Sequence, residues 1–125
     1  MSQGKHTIVV VDDDPAIRGV MKYFLENENF RVKTSADGEL VYSMKRNFPD
    51  LFLLDIALGE EDGCDICRFL KSKQGTQQIP VIILSADRNG VRLAKKAGAD
   101  AFFAKPFDMD ELLLKIKTMI YNKAP

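Results

Sequence analysis

The sequence lacks the features that mark nucleic-acid-binding and membrane-spanning chains. Its 125 residues contain 18 Lys and Arg against 18 Asp and Glu, so the formal net charge is zero. Nucleic-acid-binding domains usually carry a basic excess or stripe. Because neither is present, we expect no direct nucleic acid binding by this chain. No apolar run approaches the roughly 18 residues of a transmembrane helix, so no membrane association is expected.

Cysteine and histidine are also scarce. Cys64 and Cys67 are too close in sequence for a disulfide between them to stabilise the fold. Segment 1–7 is polar and has no signal-peptide core. Both features predict a reducing, cytoplasmic location. The Cys-x-x-Cys spacing invites a zinc or redox interpretation, but there is no second cysteine pair and the single histidine, His6, is remote in sequence. At positions i and i+3 of a helix, the two cysteines are expected to be helix surface and core filler.

What the sequence does contain is an alternation of short apolar runs and longer amphipathic segments. The short runs predict buried parallel strands, and they cover residues 8–11, 30–34, 51–54, 81–84 and 101–104. Apolar residues at helical spacing predict five helices, at 15–27, from 37 to before Pro49, around 66–70, at 91–97 and from 108 to about 120. Asp14 is expected to cap the first helix, and Asp108 the last, in a capping box with Glu111. Gly98 is expected to end the fourth in a left-handed conformation.

This alternation is a βα unit repeated five times, without internal sequence repeats, low-complexity stretches or linkers. Such an order implies a parallel sheet with right-handed crossovers that cover both faces. The fold class is therefore α/β, and the length favours a flavodoxin-like doubly wound sheet of five strands in the order 2-1-3-4-5. We expect a single domain over residues 1–125, with a core from about residue 7 to residue 122.

Polar residues follow four of the five predicted strands. They are Asp12 and Asp13 after the first strand, Asp55 after the third, Ser85 after the fourth and Lys105 after the fifth. In doubly wound sheets, ligands bind outside the carboxyl ends of the strands, where the strand order reverses. We therefore expect three carboxylates, a hydroxyl and an amine to converge at one edge of the sheet.

The energetics of such a cluster favour a bound cation. Two carboxylates about 4 Å apart repel by roughly 4 kcal/mol at an effective dielectric of about 20, and three together would force one of them to take up a proton. Mg²⁺ suits a site with a few carboxylates, several waters and a substrate phosphate. Because Lys105 and Ser85 can both meet an incoming phosphoryl oxygen, the set is typical of phosphoryl transfer.

Several short segments give the sequence a resemblance to a known family. They are 11–15 (Val-Asp-Asp-Asp-Pro), 54–58 (Leu-Asp-Ile-Ala-Leu), 62–63 (Asp-Gly), 84–86 (Leu-Ser-Ala), 98–100 (Gly-Ala-Asp) and 105–107 (Lys-Pro-Phe). In their order and spacing they resemble the signature of response-regulator receiver domains of two-component signalling, the CheY-like superfamily. The resemblance extends from about residue 8 to residue 120.

The resemblance implies a role for each matched acidic residue. Asp55 matches the phosphoacceptor of the family. Asp12 and Asp13 match its acidic metal-binding pair, with Asp13 as the more direct Mg²⁺ ligand. The backbone carbonyl of Ala57 matches a further ligand of the ion.

The resemblance also implies roles for residues after the last two strands. Ser85 matches the hydroxyl residue that contacts the phosphoryl group, and Lys105 matches the conserved lysine, whose bond to Pro106 is usually cis in the family. Phe102 matches the aromatic switch residue on strand 5, whose ring turns inward as the hydroxyl residue moves toward the phosphoryl group.

Four positions depart from the family pattern or vary within it. Gly59 stands where the family usually has proline, and this predicts a more mobile loop after Asp55 because glycine costs more entropy to order. Phe102 lacks the hydroxyl of the tyrosine often found at the switch position. Ala57 and Asp87 occupy positions at which the family tunes its dephosphorylation rate.

The function implied by the resemblance is that of a phosphoacceptor signalling module rather than an enzyme. A histidine kinase or histidine phosphotransfer protein would supply the phosphoryl group, and phosphorylation would shift a pre-existing conformational equilibrium. The fourth helix, fifth strand and fifth helix would form the surface for a downstream protein or a linked output domain, and would support a dimer.

Three other kinds of protein fit the sequence less well. A pseudo-receiver would keep the fold without phosphorylation, yet every matched catalytic position is filled. A phosphohydrolase would carry a second acid where Ala57 stands, and a flavodoxin-type carrier would need a phosphate-cradling loop after the first strand. That loop is acidic here and would repel phosphate in the absence of metal.

Overall fold

A computed structural model describes residues 5–121 of the chain. Its elements are β1 (Thr7–Val11), α1 (Pro15–Asn27), β2 (Arg31–Ser35), α2 (Glu39–Ser43), β3 (Leu51–Asp55), α3 (Gly63–Ser72), β4 (Val81–Ser85), α4 (Gly90–Ala97), β5 (Ala101–Ala104) and α5 (Met109–Tyr121). Between β3 and α3, a short antiparallel hairpin pairs Ala57–Leu58 with Glu61–Asp62. The start of the polar N-terminal segment and the predicted end of the core at residue 122 lie outside the described residues.

The five long strands form one parallel sheet in the order β2-β1-β3-β4-β5. This confirms the predicted flavodoxin-like α/β fold and its strand order. β1 lies between β2 and β3, with Val10 level with Thr34 on one side and Leu53 on the other. The strand order therefore reverses between β1 and β3, which is where this fold class forms its ligand site.

Two apolar clusters, one on each face of the sheet, form the core. Successive side chains of a strand point to opposite faces, so Ile8 and Val10 join the cluster under α1 and α5, while Val9 and Val11 join the cluster under α2, α3 and α4. Every residue of β3 and β4 is buried, because helices cover both faces. This explains why the central strands read as continuous apolar runs.

Helix α2 is shorter than predicted, and β2 begins one residue later than expected, at Arg31. The apolar pattern predicts a helix that carries Met44, but α2 ends at Ser43 and Met44 is extended. The Met44 carbonyl accepts a hydrogen bond from Lys73 Nζ of the segment after α3, at 3.1 Å. A tertiary contact therefore takes the place of another helical turn, which the local pattern does not reveal.

The helix caps follow the sequence closely. Asp14 Oδ1 accepts a hydrogen bond from the Ala16 N–H at 2.9 Å, which confirms it as the N-cap of α1. Asp108 Oδ1 accepts from the Glu111 N–H at 3.2 Å, the acceptor half of the predicted capping box. Gly98 ends α4 with φ of 91°, in the predicted left-handed conformation.

Both cysteines are buried, so the expectation that one of them lies on the helix surface is wrong. Cys64 is 2% exposed and Cys67 is fully buried, on the face of α3 that packs on the sheet. The Cys67 thiol donates to the Ala97 carbonyl at 3.4 Å, and burial raises its pKa to about 11. Its thiolate is therefore suppressed at neutral pH, which fits a packing role.

Within residues 5–121, no helix combines the length and apolar character that crossing a bilayer requires.

We expect opposite effects from alanine at two glycines. A Cβ on Gly63 would lie 2.1 Å from the Asp55 carbonyl oxygen, so Gly63→Ala should destabilise the protein by about 3 kcal/mol through forced overpacking. Gly19 lies within α1 and has no atom within 4 Å of such a Cβ, so Gly19→Ala should stabilise the protein by about 0.5–1 kcal/mol through helix propensity. Equilibrium unfolding in urea measures both values, and equal effects of the two variants would contradict this account.

Candidate functional site

The carboxyl edge of the sheet brings together the polar residues that the sequence placed after the strands. Asp12 follows β1, Asp55 ends β3, Ser85 ends β4 and Lys105 follows β5. Asp12, Asp55 and Ser85 are the acidic or hydroxyl residues of this edge that are buried, and they account for three of the four buried polar residues among those described. Parallel strands thus deliver these groups, from distant parts of the chain, to one place.

Three carboxylates form a compact cluster at this edge. Asp12, Asp13 and Asp55 each offer one carboxylate oxygen, and these oxygens lie within 4.8 Å of one another. Asp12 and Asp55 are buried, whereas Asp13 is exposed. β1 and β3 are adjacent, with Val11 level with Leu54, so their ends bring the acids together. This set of hard oxygen donors, open to solvent on one side, fits a divalent cation that keeps several waters.

Lys105 bridges the two buried carboxylates. Its Nζ lies 3.2 Å from Asp12 Oδ2 and 3.0 Å from Asp55 Oδ2. Burial opposes the charged form of the amine, but the hydrogen bonds and charges of Asp55 and Asp12 outweigh it, so the pKa of Lys105 is raised. The site therefore holds one fixed positive charge among its negative charges.

Asp55 is the most perturbed acid of the cluster. Burial raises the pKa of its carboxyl group, and the negative charge of Asp12 adds to the rise. The hydrogen bond and the charge of Lys105 lower that pKa without cancelling the shift. The Ala57 N–H also donates to Asp55 Oδ1 at 3.3 Å.

Arg18 is a site residue that the sequence analysis missed. Its guanidinium Nη1 donates to the main-chain carbonyl of Asp12 at 2.7 Å, while the Asp14 N–H donates to Asp12 Oδ1 at 2.9 Å. Two different groups therefore fix the main-chain carbonyl and the carboxylate of Asp12. The available signal was the position of Arg18 one turn into α1, which returns its side chain toward the start of the helix.

Ser85 and Phe102 lie near each other at the start of α4. Ser85 Oγ accepts a hydrogen bond from the Asp87 N–H at 3.0 Å, and the Ser85 carbonyl accepts from the Lys105 N–H at 2.7 Å. Phe102 is half-buried on β5. A Cβ on Gly90 would lie 3.0 Å from Ser85 Oγ and 3.2 Å from the Phe102 ring, so this glycine separates the two side chains without filling the space.

The backbone explains why glycine, and not proline, occupies position 59. Gly59 lies at the turn of the hairpin with φ of 69°, and proline is fixed near −65°. An added Cβ would lie 4.0 Å from Asp13 Oδ2, so the turn is beside the carboxylate cluster. The Lys105–Pro106 bond is cis, as the resemblance implied.

Comparison with known proteins decides the family. The family described as "Response regulator receiver domain" matches residues 8–117. The chain belongs to this family. The phosphate regulon transcriptional regulatory protein PhoB of Rhizobium meliloti is 34% identical over 122 residues, 94% of this chain and 53% of that protein. The chain thus spans about half the length of the curated relatives it matches.

Solved receiver structures share the fold, and one of them is a complex with Mg²⁺. The signal receiver domain of a signal transduction histidine kinase from Syntrophus aciditrophicus has a TM-score of 0.83 at 30% identity, covering 94% of this chain and 91% of that one. TrrA from Thermotoga maritima, in complex with Mg²⁺-BeF, has a TM-score of 0.81 at 30% identity, covering 91% and 98%. Receiver domains are signalling modules that bind Mg²⁺ in such an acidic pocket.

The raised pKa of Asp55 predicts a pH dependence of stability in metal-free buffer. The folded protein keeps the Asp55 proton at pH values where the unfolded chain has released it, so the Asp55 contribution becomes less favourable as pH rises through its folded pKa. Asp55→Asn removes this titration. We therefore expect the variant to gain stability over the wild type between about pH 4 and about pH 7.

Urea unfolding of both proteins in EDTA at the two pH values measures this gain. Titrating groups away from this site are common to the two proteins and cancel in the difference. Lys105 remains charged throughout this range, because its pKa is raised. A difference in stability that is the same at both pH values would contradict the raised pKa of Asp55.

Proposed function

We propose that the chain is a phosphorylatable receiver that accepts a phosphoryl group on Asp55 from a histidine kinase or a histidine phosphotransfer protein. A carboxylate oxygen of Asp55 attacks the phosphorus in line with the donor imidazole. A P–O bond to Asp55 forms as the P–N bond breaks, and the electron pair returns to the imidazole nitrogen, which takes up a proton. The product is an aspartyl phosphate.

The observation that carries this proposal is the bridging contact of Lys105 with both buried acids. Its Nζ lies within 3.2 Å of Asp12 and Asp55, in a cluster of three carboxylates. Positioning and charge neutralisation supply most of the catalysis in phosphoryl transfer. As the phosphoryl group arrives, the ammonium group of Lys105 can pair with one of its oxygens, which offsets the charge that Asp55 alone could not accommodate.

The donor set supports Mg²⁺ as the cofactor. Asp12, Asp13, Asp55 and the main-chain carbonyl of Ala57 would hold the ion, with Asp13 as the more direct ligand of the acidic pair, as the resemblance to the family implies. The bound ion would neutralise the carboxylates and the phosphoryl oxygens together. Arg18 would keep Asp12 in place, since it holds the main chain there.

Ser85 and Phe102 would convert phosphorylation into a change of shape. The Ser85 hydroxyl now accepts from the Asp87 N–H, and it would instead donate to a phosphoryl oxygen on Asp55. The half-buried ring of Phe102 would then pack toward the space that Ser85 leaves. Because the ring carries no hydroxyl, packing alone would drive this switch.

The surroundings of Lys105 support docking of a protein donor. An apolar cleft of about 520 Å³ lies between α1 and the connection from β5 to α5, and its lining includes Ile17, Val20, Lys105 and Pro106. Val20 is 46% exposed. A cleft of this character beside the reacting group suits a helix of a phosphohistidine-bearing partner.

The output is proposed to pass through α4, β5 and α5. Exposed apolar residues on α4 and α5, Val91, Leu93 and Leu114, would contact a downstream protein or a linked output domain, or the second copy in a dimer. Relatives about twice as long are DNA-binding regulators. In a longer protein of that kind the linked domain would bind DNA, and this chain, with zero net charge, would not. The expected location remains cytoplasmic.

Intact-mass spectrometry with acetyl phosphate tests the proposal. We expect a gain of one phosphoryl mass, about 80 Da, only with Mg²⁺ present, because the ion offsets the charge of the carboxylates during transfer. Asp55→Asn should gain none. Beryllofluoride, a stable phosphoryl mimic, serves as the control for a short-lived adduct. Wild type that neither gains the mass nor binds beryllofluoride with Mg²⁺ would refute the receiver chemistry, and a labelled Asp55→Asn would refute the choice of nucleophile.

A further inference from the structure

The hairpin after β3 carries a main-chain group of the proposed metal site. Ala57 pairs with Asp62 and Leu58 with Glu61, so the chain turns back within six residues. Its second arm leads into α3 through Gly63, whose N–H donates to the Ile56 carbonyl at 2.8 Å. The base of the hairpin is therefore fixed by this hydrogen bond.

One side chain ties the hairpin to a different part of the fold. Glu61 Oε1 accepts a hydrogen bond from the Gly38 N–H at 3.0 Å, across 23 residues of sequence. Gly38 directly precedes α2 and has no side chain of its own to cap that helix. The bond pairs a carboxylate with a main-chain N–H, which makes it stronger than a neutral hydrogen bond.

The lack of a side chain at Gly38 leaves room for the carboxylate of Glu61. A Cβ on Gly38 would lie 2.7 Å from Glu61 Oε1 and 2.8 Å from the Tyr42 ring, closer than real Cβ atoms come to other atoms. Any larger residue at this position would push the carboxylate of Glu61 away. The chain thus keeps a glycine where the carboxylate must approach the backbone.

The neighbouring acid offers a contrast. Glu60 stands next to Glu61 in the hairpin, and both residues are exposed and carry the same charge. The two residues therefore differ in contact rather than in chemistry. An effect of Glu61 that Glu60 does not share points to a contact that Glu61 alone makes, such as its hydrogen bond with the Gly38 N–H.

We propose that Glu61 is a positioning residue for the metal site: by binding the Gly38 N–H, it holds the hairpin so that the Ala57 carbonyl faces the carboxylates of Asp13 and Asp55. This inference rests on the proposed function, since it assigns a task toward the same Mg²⁺ ion. Glu61 acts through the backbone of the hairpin and touches neither the ion nor the phosphoryl group. Groups behind metal ligands commonly set metal affinity in this way.

The test compares Glu61→Ala, Glu61→Gln and Glu60→Ala by titration of Mg²⁺ followed by amide NMR shifts. Glu61→Ala should weaken Mg²⁺ binding by about tenfold. Glu61→Gln keeps an acceptor oxygen for the Gly38 N–H and should stay within about twofold of the wild type, because a weaker, neutral hydrogen bond still holds the hairpin in place. Glu60→Ala should also stay within about twofold, since it removes an equal charge from a screened surface position.

Hydrogen exchange of the Gly38 amide gives a second readout that does not involve the ion. Exchange should accelerate by about tenfold in Glu61→Ala, where the N–H loses its partner, and little in Glu61→Gln. Gly38→Ala, which pushes the carboxylate away, should lower Mg²⁺ affinity as Glu61→Ala does, and the double variant should lose no more than either single variant.

The outcomes separate this inference from the proposed function. If the wild type binds no Mg²⁺, the proposed function is overturned, and so is the positioning role of Glu61. Hydrogen exchange of the Gly38 amide still reports whether Glu61 bonds to it. Wild type that binds Mg²⁺ while Glu61→Ala binds equally well overturns the positioning role alone. Equal losses in Glu61→Ala and Glu61→Gln overturn it as well, because the charge and not the bond would then be the cause.

Discussion

Repulsion among three carboxylates at one edge of the sheet is the constraint on which the rest of the site depends. Asp12 and Asp55 are buried, so water cannot screen their charges, and Lys105 compensates for part of them from a distance of 3.0–3.2 Å. Burial, and after it the charge of Asp12, raise the pKa of Asp55, and Lys105 does not cancel this rise. A site of this kind favours a further cation and then an anion brought with it.

Contacts from neighbouring elements hold the backbone of this edge in place as well as its side chains. Arg18 holds the Asp12 carbonyl, the Asp14 N–H holds the Asp12 carboxylate, and Gly63 packs directly on the Asp55 main chain. These contacts come from the starts of α1 and α3, both of which follow a strand end. Rigid elements therefore fix acids that would otherwise separate, which is the preorganisation that phosphoryl transfer requires.

Much of the fold could be predicted because its signals are local. Continuous apolar runs predicted the strands, and Asp14 and Gly98 predicted helix ends. The polar residues at the strand ends predicted the members of the carboxylate cluster. The failures have tertiary causes. α2 ends at Ser43, and the Met44 carbonyl accepts a hydrogen bond from Lys73. Both cysteines pack in the cluster under the sheet, where Cys67 also bonds Ala97 of α4. Neither partner is near in sequence.

The sequence by itself determined the βα order, the order of strands in the sheet and the residue types that meet at its carboxyl edge. Hydrophobic periodicity and the polar residues at strand ends are both visible within a few residues of sequence. Only the tertiary structure decided which groups hold these edge residues in place. The bond of Glu61 to Gly38 and the hold of Arg18 on Asp12 depend on how a hairpin and a helix pack against the edge. Such contacts join residues whose spacing carries no pattern, so three-dimensional packing alone selects them.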